Sequence, residues 1–187
     1  MSSRHKRPDP KQNLTGCLLL ADPSLRDPNF RRSVIYLTHH GKDGAHGYVL
    51  NHPLARTVGD FLDGKQFQAL ADVPVFKGGP VAVEQLTFAK LGWDSLAHGF
   101  SFEDHLTTDD ASAALLAGHD VRAFVGYSGW GGGQVEAELE EHAWIIEAAG
   151  RALAEPDRVT ELWPRVLRHM GPFFDLLSRT PDRPERN

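Results

Sequence analysis

Residues 33–39 and 47–51 are two apolar runs rich in Val, Leu and Tyr, with the turn Gly41-Lys42-Asp43-Gly44 between them. Parallel strands need a crossover of about a dozen residues or more. A link this short therefore joins the two runs antiparallel, with Asp-Gly as the hairpin signal. That hairpin removes a uniform β-α-β alternation from the possibilities. Further strand-like runs stand at 14–21, 73–77, 85–91, 121–126 and 144–147, mixed with helix patterns at 108–117 and 134–142. Thr108 is the expected cap of the first of these helices, and Gly118 suits its other end. Strands and helices in this irregular order predict an α+β fold rather than a doubly wound sheet.

The strongest periodic signal is Val159, Leu162, Trp163, Val166, Leu167 and Met170, one face of a helix. Thr160 is the expected cap, Pro164 sits in the first turn, and Gly171-Pro172 ends it. The stripe predicts a core helix against the sheet, with Arg165 and Arg168 facing water.

Of the 187 residues, 41% are hydrophobic, enough for one domain that buries roughly 70% of its unfolded surface. No linker interrupts 14–178. The polar ends, 1–13 and 179–187, are expected to be a disordered tail and a loose tail. Cys17 is the single cysteine; it can make no disulfide within the chain, and its place in the first strand predicts a buried thiol without a redox role. The apolar run 17–21 is far below the ~18 residues of a membrane-spanning helix, and the start of the chain lacks the apolar stretch of a signal peptide. The expected location is the cytoplasm, with no membrane association. A net charge of −5 and a pI near 6.0 disfavour direct nucleic-acid binding.

The densest motif is Gly126-Tyr127-Ser128-Gly129-Trp130-Gly131-Gly132-Gly133-Gln134. Read as a loop between a strand and a helix, it gathers backbone N–H groups at one spot, which favours an anion. The known phosphate fingerprints do not fit. A dinucleotide pattern from Gly129 needs Gly or Ala where Gln134 stands, and a P-loop from Gly126 needs Lys where Gly132 stands. A nucleophile elbow is met at Gly126 and Ser128 and broken at Trp130. Glu136, Glu138, Glu140 and Glu141 suit the start of the following helix but repel phosphate. His39, His40, His46 and His52 lie close in sequence, yet His39 and His40 point to opposite faces of a strand, and no zinc-binding spacing accompanies them. No catalytic residue, metal site or cofactor is assigned.

Two glycine turns, Gly78-Gly79-Pro80 and 126–133, each leave a strand and are expected at one end of the sheet. The candidate ligand pocket lies between them, with Arg32, Asn51, Gly78, Gly79, Pro80, Tyr127, Trp130 and Gln134 around it. Glycine admits close approach, the rings supply walls, and Arg, Asn and Gln supply orienting hydrogen bonds. The competing reading makes Trp130 a core residue and the glycines plain connections.

In order, Gly16 with Leu18-Leu19, Asp22-Pro23, Asp27-Pro28-Asn29-Phe30 with Arg32-Ser33-Val34, Gly44-Ala45 with Gly47, Leu50-Asn51 with Pro53, Gly78-Gly79-Pro80-Val81, Phe124 with 126–131, Gly133-Gln134, Glu136 with Glu138, Trp144 and Leu162-Trp163 resemble the YqgE/AlgH family. The resemblance covers roughly 16–171. It implies a twisted, partly barrel-like mixed β-sheet surrounded by helices, in bacterial cytoplasmic proteins of unestablished biochemistry, some of them labelled transcriptional regulators. It carries over no catalytic residue. The chain also departs from the pattern: Thr38-His39-His40 stands where many members have Cys-Glu-His, and Ser128 is commonly Ala. Two functions stay open. One is a non-enzymatic regulatory or ligand-binding protein with an unknown small-molecule or protein partner. The other is an enzyme, such as a hydrolase, with a glycine-lined pocket near Trp130.

Overall fold

The computed structural model describes residues 8–10, 12–95, 99–154 and 156–181. Its strands are β1 (Cys17–Ala21), β2 (Val34–Gly41), β3 (Gly44–Val49), β4 (Pro53–Thr57), β5 (Pro74–Lys77), β6 (Val81–Asp94), β7 (Gly99–Leu106), β8 (Asp120–Gly131) and β9 (Trp144–Ala148). The helices are α1 (Thr108–Leu116), α2 (Gln134–Glu140), α3 (Leu162–His169) and α4 (Pro172–Ser178). The class is α+β. Among the described residues one mixed sheet of nine strands runs β4-β5-β8-β3-β2-β1-β9, with β6 pairing both β8 and β7. β5 and β8 pair in parallel and the remaining neighbours antiparallel. The end strands β4 and β9 do not meet, so the sheet is open rather than closed into a barrel.

The hairpin β2–β3 forms as its turn dictates, with Ile35 opposite Val49 and Tyr36 opposite Tyr48. Alternation sends successive side chains to two separate cores. Leu18, Leu20, Val34, Tyr36, Tyr48 and Leu50 share one face with Trp163 and Leu167. Leu19, Ile35, Leu37 and Val49 share the other with Trp130 and Trp144. An irregularity in β2 between Leu37 and His39 breaks the alternation, leaving His39 exposed and turning His40 inward opposite Ala45.

α3 covers the first face. Trp163 is fully buried, and its Nε1 donates to the Ala21 carbonyl at 2.9 Å. Several expectations need correction here. Val159 and Thr160 lie in a 3-10 turn, Pro156–Glu161, and the helix starts after them with no side-chain cap. Arg165 is 8% exposed rather than turned to water. α3 does end before Gly171-Pro172, at His169, and Pro172 then opens a further helix, α4, as its first residue. In α1 the cap is Thr107, whose hydroxyl accepts from Asp110 N, not Thr108.

Two larger corrections concern the sheet. β6 is twice the expected length, and β7 was not anticipated. Residues 126–131 are not a loop: they are the second half of β8, which reaches β3 there. Only Gly132 and Gly133 turn the chain into α2.

At the ends, Asn13 Nδ2 donates to the His40 carbonyl at 2.9 Å, and the Arg32 guanidinium donates to the Thr180 carbonyl. The parts of the two expected tails at 1–7, 11 and 182–187 lie outside the described residues. Cys17 is half-buried rather than buried, with its thiol pKa raised first by burial and then by Glu147. No helix among the described residues is long and apolar enough to cross a membrane.

Candidate ligand site

The link from β1 to β2 is shaped by its own sequence. Asp27-Pro28 starts a turn in which Asp27 Oδ1 accepts from Asn29 N at 2.7 Å and the Asp27 carbonyl accepts from Phe30 N and Arg31 N. Residues 27–32 then cross the end of the sheet as a strap, and three side chains tie it down. Lys77 Nζ donates to Asn29 Oδ1 at 2.7 Å. The His52 ring donates to the Arg31 carbonyl. Asn51 Nδ2 donates to the Arg32 carbonyl, and its Oδ1 accepts from Val34 N, both at 2.8 Å. Phe30 packs against both Trp130 and Trp144, with ring centroids 6.2 and 5.5 Å away, and the two indoles meet each other at 6.1 Å. Arg32 itself holds a left-handed φ of 54°, a conformation that persists only where the surroundings fix it.

The eight residues singled out from the sequence do not form one pocket. Arg32 and Asn51 meet at the strap, and the Arg32 guanidinium is committed, 5.0 Å above Trp163. Gly78 and Gly79 do lie beside 126–128, but the two segments are packed backbone on backbone. A Cβ on Gly78 would strike the Gly126 carbonyl, and one on Gly79 the carbonyl group of Tyr127. Pro80 is exposed. Tyr127 belongs to the face of Tyr48 and stacks on His46 at 4.3 Å. Trp130 is buried on the opposite face. There Glu138 Oε2 accepts from both indoles, Trp130 at 3.0 Å and Trp144 at 2.7 Å, while Oε1 accepts from Gln134 at 2.8 Å. Gln134 in turn accepts from Gly131 N. Ser128 is fully buried and donates to the Gly78 carbonyl at 3.1 Å; it lies within a strand, in keeping with the elbow pattern being broken at Trp130.

Asn29, Lys77 and His52 are the residues that sequence reasoning left out of the site. Asn29 stood in the Asp-Pro-Asn-Phe motif, which was the available signal. Among the described residues, no group of three or more His, Cys, Asp or Glu side chains is arranged to hold a metal ion.

Burial lowers the pKa of His46 and of His52; for His52 the charge of Lys77 lowers it further, and for His46 Asp104 partly opposes the fall. Tyr48, buried and hydrogen-bonded to Asp104, has its pKa raised. An unfolded histidine titrates near ~6.5. Below that value the unfolded chain takes up protons that the folded chain resists, so stability is full above about pH 6.5 and falls with pH beneath it. The melting temperature is expected to drop on acidification through this range, and less in a His46→Gln/His52→Gln double variant. Parallel melting curves for the two proteins against pH would contradict the assignment.

The AlgH-like family model matches residues 18–174. The chain belongs to this family. A UPF0301 protein of Streptomyces avermitilis is 36% identical over 190 residues, covering 94% of this chain and 96% of the relative. One from Pseudoalteromonas translucida is 33% identical, covering 91% and 97%. The solution structure of the AlgH protein from Pseudomonas aeruginosa superposes with a TM-score of 0.63 at 27% identity, over 95% of this chain and 98% of that one. A Corynebacterium diphtheriae protein superposes with a TM-score of 0.67 over 93% and 94%, at 22% identity, a likeness of fold alone.

Proposed function

We propose that this AlgH-like protein is a non-enzymatic cytoplasmic regulator that acts by binding a ligand or partner against the strap at 27–32. The observation that carries the reading is the strap itself. Three side chains from β3–β4 and β5 are spent on holding one short loop, and with it a left-handed Arg32, on a rigid sheet end. Loops fixed on such scaffolds are where binding residues concentrate. Arg32, Asn51, Gly78 and Gly79 of the sequence-derived set adjoin this surface, and Asn29, Lys77 and His52 join them. The hydrolase alternative has lost its support, because Ser128 is inside the sheet and bonded to backbone.

The test is a screen of metabolites by heteronuclear NMR on the full chain. Shifts centred on the amides of 29–32 and 77–79, without turnover of any compound, are expected. Shifts confined to other surfaces, or turnover abolished by Ser128→Ala in a stably folded variant, would overturn the reading.

A further inference from the structure

We infer that the strap site takes an oxyanion, the carboxylate or phosphate group of a small molecule, held by the Lys77 ammonium beside His52. This rests on the reading of the strap as a binding surface and adds the ligand's chemical class. Lys77, at the end of β5, is half-buried and reaches Asn29 across the sheet end, so its ammonium is fixed in place rather than free to sweep through solvent. An ammonium has three donors, and the bond to Asn29 uses one. His52 lies beside it, bound through the Lys77 backbone as well: Lys77 N donates to the His52 carbonyl at 2.9 Å. Among the described residues neither side chain is paired with a carboxylate. Asp27, the acid of the strap, has Oδ1 engaged by the backbone of Asn29.

Burial, and after it the charge of Lys77, lowers the pKa of His52. An oxyanion bound there offsets the charge of Lys77 and accepts charge-assisted hydrogen bonds from its ammonium. The Arg32 guanidinium is committed to Trp163 and Thr180, whereas Lys77 keeps two ammonium donors for a ligand. Gly78 and Gly79 follow it directly, and no side chain there shields the ammonium.

The probes are inorganic phosphate and acetate, titrated separately into the full chain at neutral pH and followed by the ring resonances of His52 and the amides of 29–32. Saturable shifts with a rise in the His52 pKa are expected, with phosphate and acetate separating the two oxyanion sources by their relative affinity. Lys77→Met should weaken binding roughly tenfold or more, and Lys77→Arg should restore most of it at unchanged thermal stability. His52→Gln, which keeps a donor for the Arg31 carbonyl, provides a second variant if loss of Lys77 loosens the strap. Linear, non-saturating shifts, or binding indifferent to Lys77→Met, would overturn the inference. A neutral metabolite that shifts the strap amides while both anions fail would overturn the oxyanion and leave the strap reading standing; anion binding remote from the strap would remove both.

Discussion

Gly79→Ala is expected to unfold this protein more effectively than any conservative change in its core. The added methyl would occupy the space of the Tyr127 carbonyl and lie against Ser128 N. These are backbone atoms of a strand paired with both β6 and β3, so neither partner has a rotamer to yield. Overpacking by one methyl ordinarily costs about 1–3 kcal/mol. With a backbone-to-backbone clash, the loss is expected at the top of that range or above it, about 3–5 kcal/mol. Gly150→Ala is the control, since a Cβ there meets nothing within 4 Å; it should shift stability by no more than about 0.5 kcal/mol. Urea midpoints of the two variants decide the matter, and equal midpoints would show that β5 and β8 are not in contact through Gly79.

Glu138→Ala is the second large effect. One carboxylate oxygen serves two indole N–H groups, both from tryptophans almost wholly removed from solvent. Its loss strands two donors at once, and each buried donor left unmade costs about 1–3 kcal/mol. A combined loss of about 2–5 kcal/mol is expected. Glu138→Gln keeps one acceptor oxygen and should recover part of it. Tryptophan emission gives an independent readout, moving to the red as Phe30, Trp130 and Trp144 loosen. A Glu138→Ala protein with native stability would mean that the indoles find water instead.

The legible parts of this fold were those where one local signal had no competitor. Asp43-Gly44 between two apolar runs could only make a hairpin, and the stripe from Leu162 to Leu167 could only be a buried helix face. β4 escaped because it is largely exposed and carries no buried face to reveal it, whereas β7 does alternate, with half-buried Phe100, Phe102 and Leu106 against the cores, a period-two signal that the reading missed. The misreading of 126–131 has a different cause. Glycine is the usual mark of a turn, but here it serves the crossing of two backbones, and Gly126 supplies a φ of 65° where β8 passes from one set of partners to the next. Sequence spacing cannot tell these uses apart.

The site was half legible for a related reason. Arg32 and Asn51 look like ligand donors, yet both are engaged within the protein, one over Trp163 and one bridging Arg32 and Val34. Lys77 and His52 are 25 positions apart in a sequence where basic residues are common. Only the pairing that lets Lys77 N reach the His52 carbonyl makes them neighbours.

The placement of β8 also bears on how the chain is made. It is the strand on which β3, β5 and β6 all pair, yet it begins only at Asp120. On the ribosome, everything before it emerges as two unfinished pieces, the β1–β3 meander and the β4–β7 segment, each with an open edge of unpaired amides and an uncovered apolar face. Such edges invite pairing with other chains. Until Asp120–Gly131 leaves the exit tunnel, the strand that joins these two pieces into one sheet is missing.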